Sequence, residues 1–135
     1  VLYSRLYREL QQYRNAPNKF ARLNYRVRCD FVCVSKKIIV EYDERQHFSK
    51  ARAISLEAYR DIPLNYDREL WIQACKDVDA RDNDPVYRDE GRAFFDSIRD
   101  IQAYRNGFKL VRIMHGQIDF TQDSAYGELL KLLGL

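Results

Sequence analysis

Two acids in the N-terminal half of the chain sit where a cation could be held. Asp30 and Glu41 lie on consecutive runs rich in β-branched and aromatic residues, separated by Ser35, Lys36 and Lys37. A hairpin turn centred between Ser35 and Lys36 sets Val34 against Lys37, Asp30 against Glu41 and Arg28 against Asp43. Directly opposed residues have Cβ atoms roughly 4.5–5.5 Å apart, and two bare carboxylates at that range repel. A hard, oxygen-seeking ion such as Mg²⁺, bound by both carboxylates and a backbone carbonyl, resolves the repulsion and leaves water positions open. The plainer alternatives are that Arg28 pairs with both acids, or that the carboxylates are hydrated at the mouth of the sheet. Val32, Val34 and Ile39 share the face of the two acids, while Val27, Cys29, Phe31, Ile38 and Val40 occupy the other, which predicts a hairpin covered on both sides.

The positioning elements follow from periodicity. Leu2, Leu6 and Leu10, with Tyr3 and Tyr7, recur every three to four residues, predicting an amphipathic helix over 2–13 that stops before Asn15 and Pro17. From Leu23 to Asp43 the period falls to two, as in a β-hairpin. Residues 49–60 and 66–78 read as helices divided by Pro63, and residues 79–84 as a polar loop closed by Pro85. A further helix spans 88–106, with Phe94, Ile98, Ile101 and Tyr104 on one face and Gly107 as its C-terminal cap. FKLVRIM, residues 108–114, is a nearly continuous apolar run suited to a strand covered on both faces, and 126–133 supplies a last helix. This order predicts an α/β protein with a mixed sheet between helical layers. Asp96, Arg99 and Asp100 share a helical face and form an ion-pair network, and Arg112, inside the buried strand, requires one of those carboxylates.

The 135 residues suffice for one core and are too few for two ordinary domains. With 46% hydrophobic and 32% charged residues, the composition excludes fibrous and disordered classes. No apolar run approaches the roughly 20 residues of a membrane span, and no secretion signal is evident, so the expectation is a cytoplasmic protein without a membrane partner. Val1 in place of Met leaves open a processed product or a piece with flanking domains. Cys29, Cys33 and Cys75, odd in number and without CxxC spacing, read as buried thiols. A zinc site joining Cys75 to His47 or His115 is the minor alternative. A net charge of +3 with ten tyrosines permits a nucleic-acid partner without requiring one.

RCDFVCVSKKIIVEYDERQHF, residues 28–48, resembles the core motif of the PD-(D/E)xK nuclease superfamily, most nearly the very-short-patch-repair endonucleases and related small endonuclease-like domains. Those carry an acid on one strand and E-x-D-G-x-Q-H on the next, and Asp30, Glu41, Asp43, Gln46 and His47 fall on the matching positions. A second block, FFDSIRDIQAYRNGFKLVRI, is similar to the family's D-x-x-R-D helix followed by Gly and an apolar strand bearing Arg, through Asp96, Arg99, Asp100, Gly107 and Arg112. The resemblance implies a restriction-endonuclease-like three-layer α/β/α fold and a Mg²⁺-dependent DNA endonuclease, with Mn²⁺ as a substitute ion. It further implies that Asp30, Glu41 and the carbonyl of Tyr42 bind the metal, with Glu9 on the first helix as an added ligand. Asp43 stands where the superfamily's usual lysine would be and Glu44 replaces the Gly of the motif, so phosphate charge falls to Lys37, Arg45 or Arg99. Residues 49–92 exceed what compact members need and read as a helical insertion for a target or partner. The alternative is a catalytically inactive DNA-binding or assembly module of the same fold; a homodimer or flanking domains stay open as further partners.

Overall fold

A computed structural model describes residues 1–15, 20–21 and 26–135. The chain is a mixed α/β protein, with helix α1 (Leu2–Tyr13), strands β1 (Phe31–Cys33) and β2 (Ile38–Asp43), then helices α2 (Lys50–Ala58), α3 (Arg68–Val78) and α4 (Arg88–Arg105). Strand β3 (Lys109–Met114) and helix α5 (Ala125–Leu133) complete it. Ser49 and Asp67 start α2 and α3 by accepting hydrogen bonds from the Arg52 and Leu70 amides at 3.1 and 3.2 Å. Gly107 follows α4 at φ +74°, a conformation that glycine adopts without steric cost. The start of the expected first strand, at Leu23, and Pro17 lie outside the described residues.

The sheet has the order β1-β2-β3, with β1 antiparallel and β3 parallel to β2. Phe31 faces Val40 and Cys33 faces Ile38, the register expected from a turn centred on Ser35 and Lys36. The turn closes with the Lys37 amide donating to the Val34 carbonyl at 3.2 Å. Because β2 and β3 are parallel, the chain must cross between their ends, and α2, α3 and α4 make that crossover. Ile39 and Leu110 meet Ala103 of α4 on one face of the sheet; Val40, Ile113 and Ile118 meet α5 on the other. The sheet is therefore sandwiched between helices. Among the described residues, no helix is long and apolar enough to cross a membrane.

Two expectations are corrected by the packing. The hairpin is not covered on both sides: β1 is an edge strand paired only with β2, and Phe31 is 73% and Val34 71% accessible. Cys33 on this edge is exposed rather than buried, whereas Cys75 lies in the core. Residues of the segment 49–92 also enter the main core. Phe48, Ala51, Leu56, Tyr59, Trp71, Ile72 and Cys75 form it with Leu6, Leu10, Ala93 and Ile101, so removal of the segment would expose α1 and α4.

Helix α4 turns an acidic stripe inward, burying Asp89, Glu90, Asp96 and Asp100. Unpaired buried carboxylates would be prohibitive, and each meets an arginine brought by another element. Arg14 at the end of α1 pairs with Glu90. Arg52 of α2 and Arg112 of β3, each 1% accessible, both bond Asp100, at 2.9 and 3.0 Å. Tyr59 and Tyr66 donate to the same carboxylate at 2.6 and 2.5 Å. Burial works to raise the Asp100 carboxyl, but Arg112 and Arg52 outweigh it and hold it below its ordinary value. The ion cluster thus fixes β3, α2 and α4 in one relative position.

Candidate active site

Glu41 and Asp43 project from β2 toward α4, and Asp30, just before β1, stands opposite Glu41. The two acids clasp each other's strand. The Asp30 amide donates to Glu41 Oε2 at 2.9 Å, and the Tyr42 amide donates to Asp30 Oδ2 at 2.8 Å. These bonds replace backbone ladder pairing at the point where β1 begins. Both carboxylates line an open cleft of about 610 Å³, with Arg28, Asp43, His47, Asp96 and Arg99 among its walls.

Asp30 is exposed, whereas Glu41 is 5% accessible. Burial is the main force pushing the Glu41 carboxyl up, to about 7; the hydrogen bond from the Asp30 amide and the Arg112 charge oppose it, and the Asp30 carboxyl adds to the rise. An acid held this way is half protonated near neutrality and gains from any cation that takes the proton's place. Arg99 reaches Glu41 Oε1 at 3.1 Å, but its guanidinium is shared with Asp96 at 3.1 Å and with the Arg28 carbonyl at 2.7 Å. The arginine that approaches Glu41 is Arg99, not Arg28.

His47, on a single 3-10 turn at Arg45–His47, places Nδ1 2.8 Å from Asp96 Oδ2. Burial alone would lower its pKa, but the Asp96 hydrogen bond and charge, with Asp43, carry it above the ordinary imidazole value. Asp96 in turn is strongly lowered: burial opposes ionisation, and Arg112 and His47 overcome it. With Nδ1 directed to Asp96, Nε2 is the nitrogen left to act elsewhere in the cleft.

The remaining expected residues fall into place unevenly. Asp43 lines the cleft, yet its oxygens are engaged by Arg112 Nη1 at 2.8 Å and by the Trp71 indole Nε1 at 2.9 Å, so it anchors β2 to β3 and α3. Gln46 donates to Glu44 at 2.6 Å and lies outside the cleft lining. Arg45 is exposed and also outside it. Lys37 sits in the hairpin turn at φ +53°; four extended residues, roughly 13 Å, separate it from Glu41. Glu9, on α1, is not among the cleft residues; α1 packs through Leu6 and Leu10 into the main core with α2 and α4. Of the three expected phosphate ligands, only Arg99 is brought to the acids.

Sequence reasoning did not find the Trp71 indole behind Asp43, nor the Arg52 and tyrosine shell behind Asp100. Nothing in the spacing of residues 28 positions apart signals the first. The i, i+3 spacing of Asp96 and Arg99 does signal their pairing.

As to a metal, Asp30 and Glu41 are a donor pair of the right chemistry for a hard divalent cation. Among the described residues, no third His, Cys, Asp or Glu completes a ligand group with them. That set suits an ion that retains most of its waters, as Mg²⁺ does, and not a closed structural zinc site; Cys75 is buried in the core, and burial pushes its thiol up to about 12. The Tyr42 amide, bonded to Asp30, and the Asp30 amide, bonded to Glu41, are backbone groups at the pair. Compared with known proteins, the chain matches no family model, no curated protein and no solved structure.

Proposed function

We propose that this chain is a metal-dependent DNA endonuclease domain of the PD-(D/E)xK kind, with a restriction-endonuclease-like fold. The observation that carries the reading is the convergence of Asp30 and Glu41 on one open cleft, with Glu41 held at a pKa of about 7. Such a pair is an unfavourable arrangement for stability alone, and a favourable one for a cation. Asp30 and Glu41 would hold Mg²⁺, or Mn²⁺ in its place, and the ion when bound would polarise a phosphodiester and acidify a water. Arg99, half-engaged by three acceptors beside Glu41, and the exposed Arg28 supply positive charge for phosphate oxygens. His47, its Nδ1 held by Asp96, presents Nε2 as a base or as a hydrogen-bond donor to phosphate. Asp43 and Trp71 keep the end of β2 in place.

A second reading is an inactive DNA-binding or assembly module, favoured by the engagement of Arg99 with Glu41 and by the absence, among the described residues, of a lysine from the cleft lining. Incubation of supercoiled plasmid with Mg²⁺ or Mn²⁺ separates the two. Nicking that disappears in Asp30→Asn and Glu41→Gln supports the endonuclease; intact plasmid at high protein concentration with either ion refutes it.

A further inference from the structure

A second groove, of about 580 Å³, lies along the first turns of α4 and shares His47, Asp96 and Arg99 with the acidic cleft. The two depressions thus form one path past His47. Their charges differ. The cleft is lined by five carboxylates against three arginines, whereas the groove is lined by Arg88, Arg92 and Arg99 against Asp96. Asp82 and Asp89, outside the lining, draw on Arg92 at 3.7 and 3.8 Å and Glu41 draws on Arg99 at 3.1 Å, which leaves Arg88 as the least engaged cation. Asp96 is already neutralised by Arg112, Arg99 and His47. The groove also exposes apolar surface: Val86 is 61% accessible, and Pro85, Tyr87, Phe20 and Phe95 line it.

Its wall is held in shape by the chain itself. The Tyr87 amide donates to Asn83 Oδ1 at 2.7 Å, the Asp82 amide to Asp89 at 2.9 Å, and Arg88 Nη1 to the Asp84 carbonyl at 3.0 Å. Tyr87 adopts φ +62°, a left-handed conformation uncommon for a side chain of this size, which turns the loop into α4. Gly91 forms part of the lining, where a Cβ would come within 3.1 Å of the Phe20 carbonyl oxygen. Arg88 is 49% accessible, and its contact with Asp82 is a long 3.5 Å, so its guanidinium remains open to a further anion.

The open guanidinium of Arg88 for a phosphate, beside the exposed apolar surface of Val86 for a base, matches a polynucleotide whose bases are not stacked inside a duplex. Duplex DNA presents phosphates and groove edges and would leave the exposed Val86 without an apolar counterpart. We infer that the groove seats an unpaired strand flanking the cleft, so that the substrate is a duplex joined to a single-stranded tail or branch. This rests on the endonuclease reading for the role of the cleft, but not for strand binding itself.

The test is binding by fluorescence anisotropy in EDTA, so that cleavage plays no part, using a blunt duplex and the same duplex bearing a thymidine-only tail. The tailed duplex should bind about tenfold more tightly at low salt, as expected where base stacking adds to phosphate contact. Arg88→Glu and Val86→Asp, both at exposed positions and outside the acidic cleft, should each remove that advantage while leaving blunt-duplex affinity within about twofold, and Arg88→Glu should lower the salt slope by about one. Equal affinity for the two DNAs, equal weakening of both by the variants, or displacement of the tail by poly-glutamate as readily as by oligothymidylate would each overturn the inference. A tailed duplex that stays intact with Mg²⁺ or Mn²⁺ while the tail preference holds defeats the endonuclease reading alone; DNA that is cut with no tail preference in binding defeats the groove alone.

Discussion

Replacing Glu41 by Gln should make the protein more stable above neutral pH, because the wild-type carboxylate is held where ionisation is costly. Its pKa moves from 4.5 to about 7 on folding. At about 1.4 kcal/mol for each tenfold change, ionised Glu41 costs the folded state about 3 kcal/mol. The attraction of Arg99 is already contained in that cost; glutamine keeps an oxygen for the Asp30 amide but exchanges the protonated carboxyl's bond to Asp30 for a weaker amide one, a loss of about 1 kcal/mol. The net gain at pH 8 is about 2 kcal/mol, or roughly 5–8 °C in Tm for a chain of this size. The sign depends on pH. Between 4.5 and about 7 the folded carboxyl keeps a proton that the unfolded one releases, so wild-type stability falls as pH rises through that window. Glu41→Gln escapes the fall, and its advantage should vanish near pH 5. Thermal unfolding by circular dichroism at pH 5 and 8, with EDTA and then with Mn²⁺, measures all of this. At a metal concentration of 100 times Kd the wild type should gain about 2.7 kcal/mol and the variant nothing. A variant destabilised equally at both pH values, or stabilised by Mn²⁺ as much as wild type, refutes the reasoning.

Three further expectations are independent of metal. Trp71→Phe keeps one aromatic ring but removes the indole's pyrrole ring together with the donor to Asp43 Oδ2, and urea unfolding should show a loss of about 2–4 kcal/mol from the cavity and the lost bond; a loss below about 0.5 kcal/mol would mean that the indole bond does not hold β2. His47 has a raised pKa in the folded state, so its pair with Asp96 contributes fully below about 6.5 and less as pH climbs through the folded value. His47→Gln should therefore flatten the stability decline above pH 6.5, and an unchanged profile argues that the imidazole carries no proton there. Cys33 is exposed and lowered by its contacts with Ser35 and Lys36, whereas burial pushes Cys75 up to about 12. Iodoacetamide followed by peptide mass mapping should label Cys33 in the native protein and Cys75 only after denaturation; early labelling of Cys75 would contradict the core packing.

Much of the architecture is legible in local pattern. The four-residue recurrence of Leu2, Leu6 and Leu10 marks α1, the caps Ser49 and Asp67 mark α2 and α3, and the apolar run before Met114 marks β3. Alternation around Ser35 and Lys36 also sets the hairpin register, and so the opposition of Asp30 and Glu41, because a slip of one residue would send β2's apolar side chains to the wrong face. A guanidinium inside an apolar strand demands a carboxylate, so the chemical type of Arg112's partners follows from the strand pattern alone.

Distance along a strand and packing across the chain decided the rest. Lys37 sits in the turn just before Glu41's strand, whereas Arg99, 58 positions after Glu41 in the chain, lies 3.1 Å from its carboxylate. Helix α4 carries Arg99, Asp96 and Asp100 to the sheet because Arg52 and Tyr59 of the crossover hold Asp100, while Trp71 holds Asp43 of β2. Periodicity reports which face a residue occupies; it carries no information on which distant face comes to meet it. The opposed carboxylates were therefore set by sequence, and their arginine, histidine and adjoining groove by the tertiary arrangement of α4 against β2.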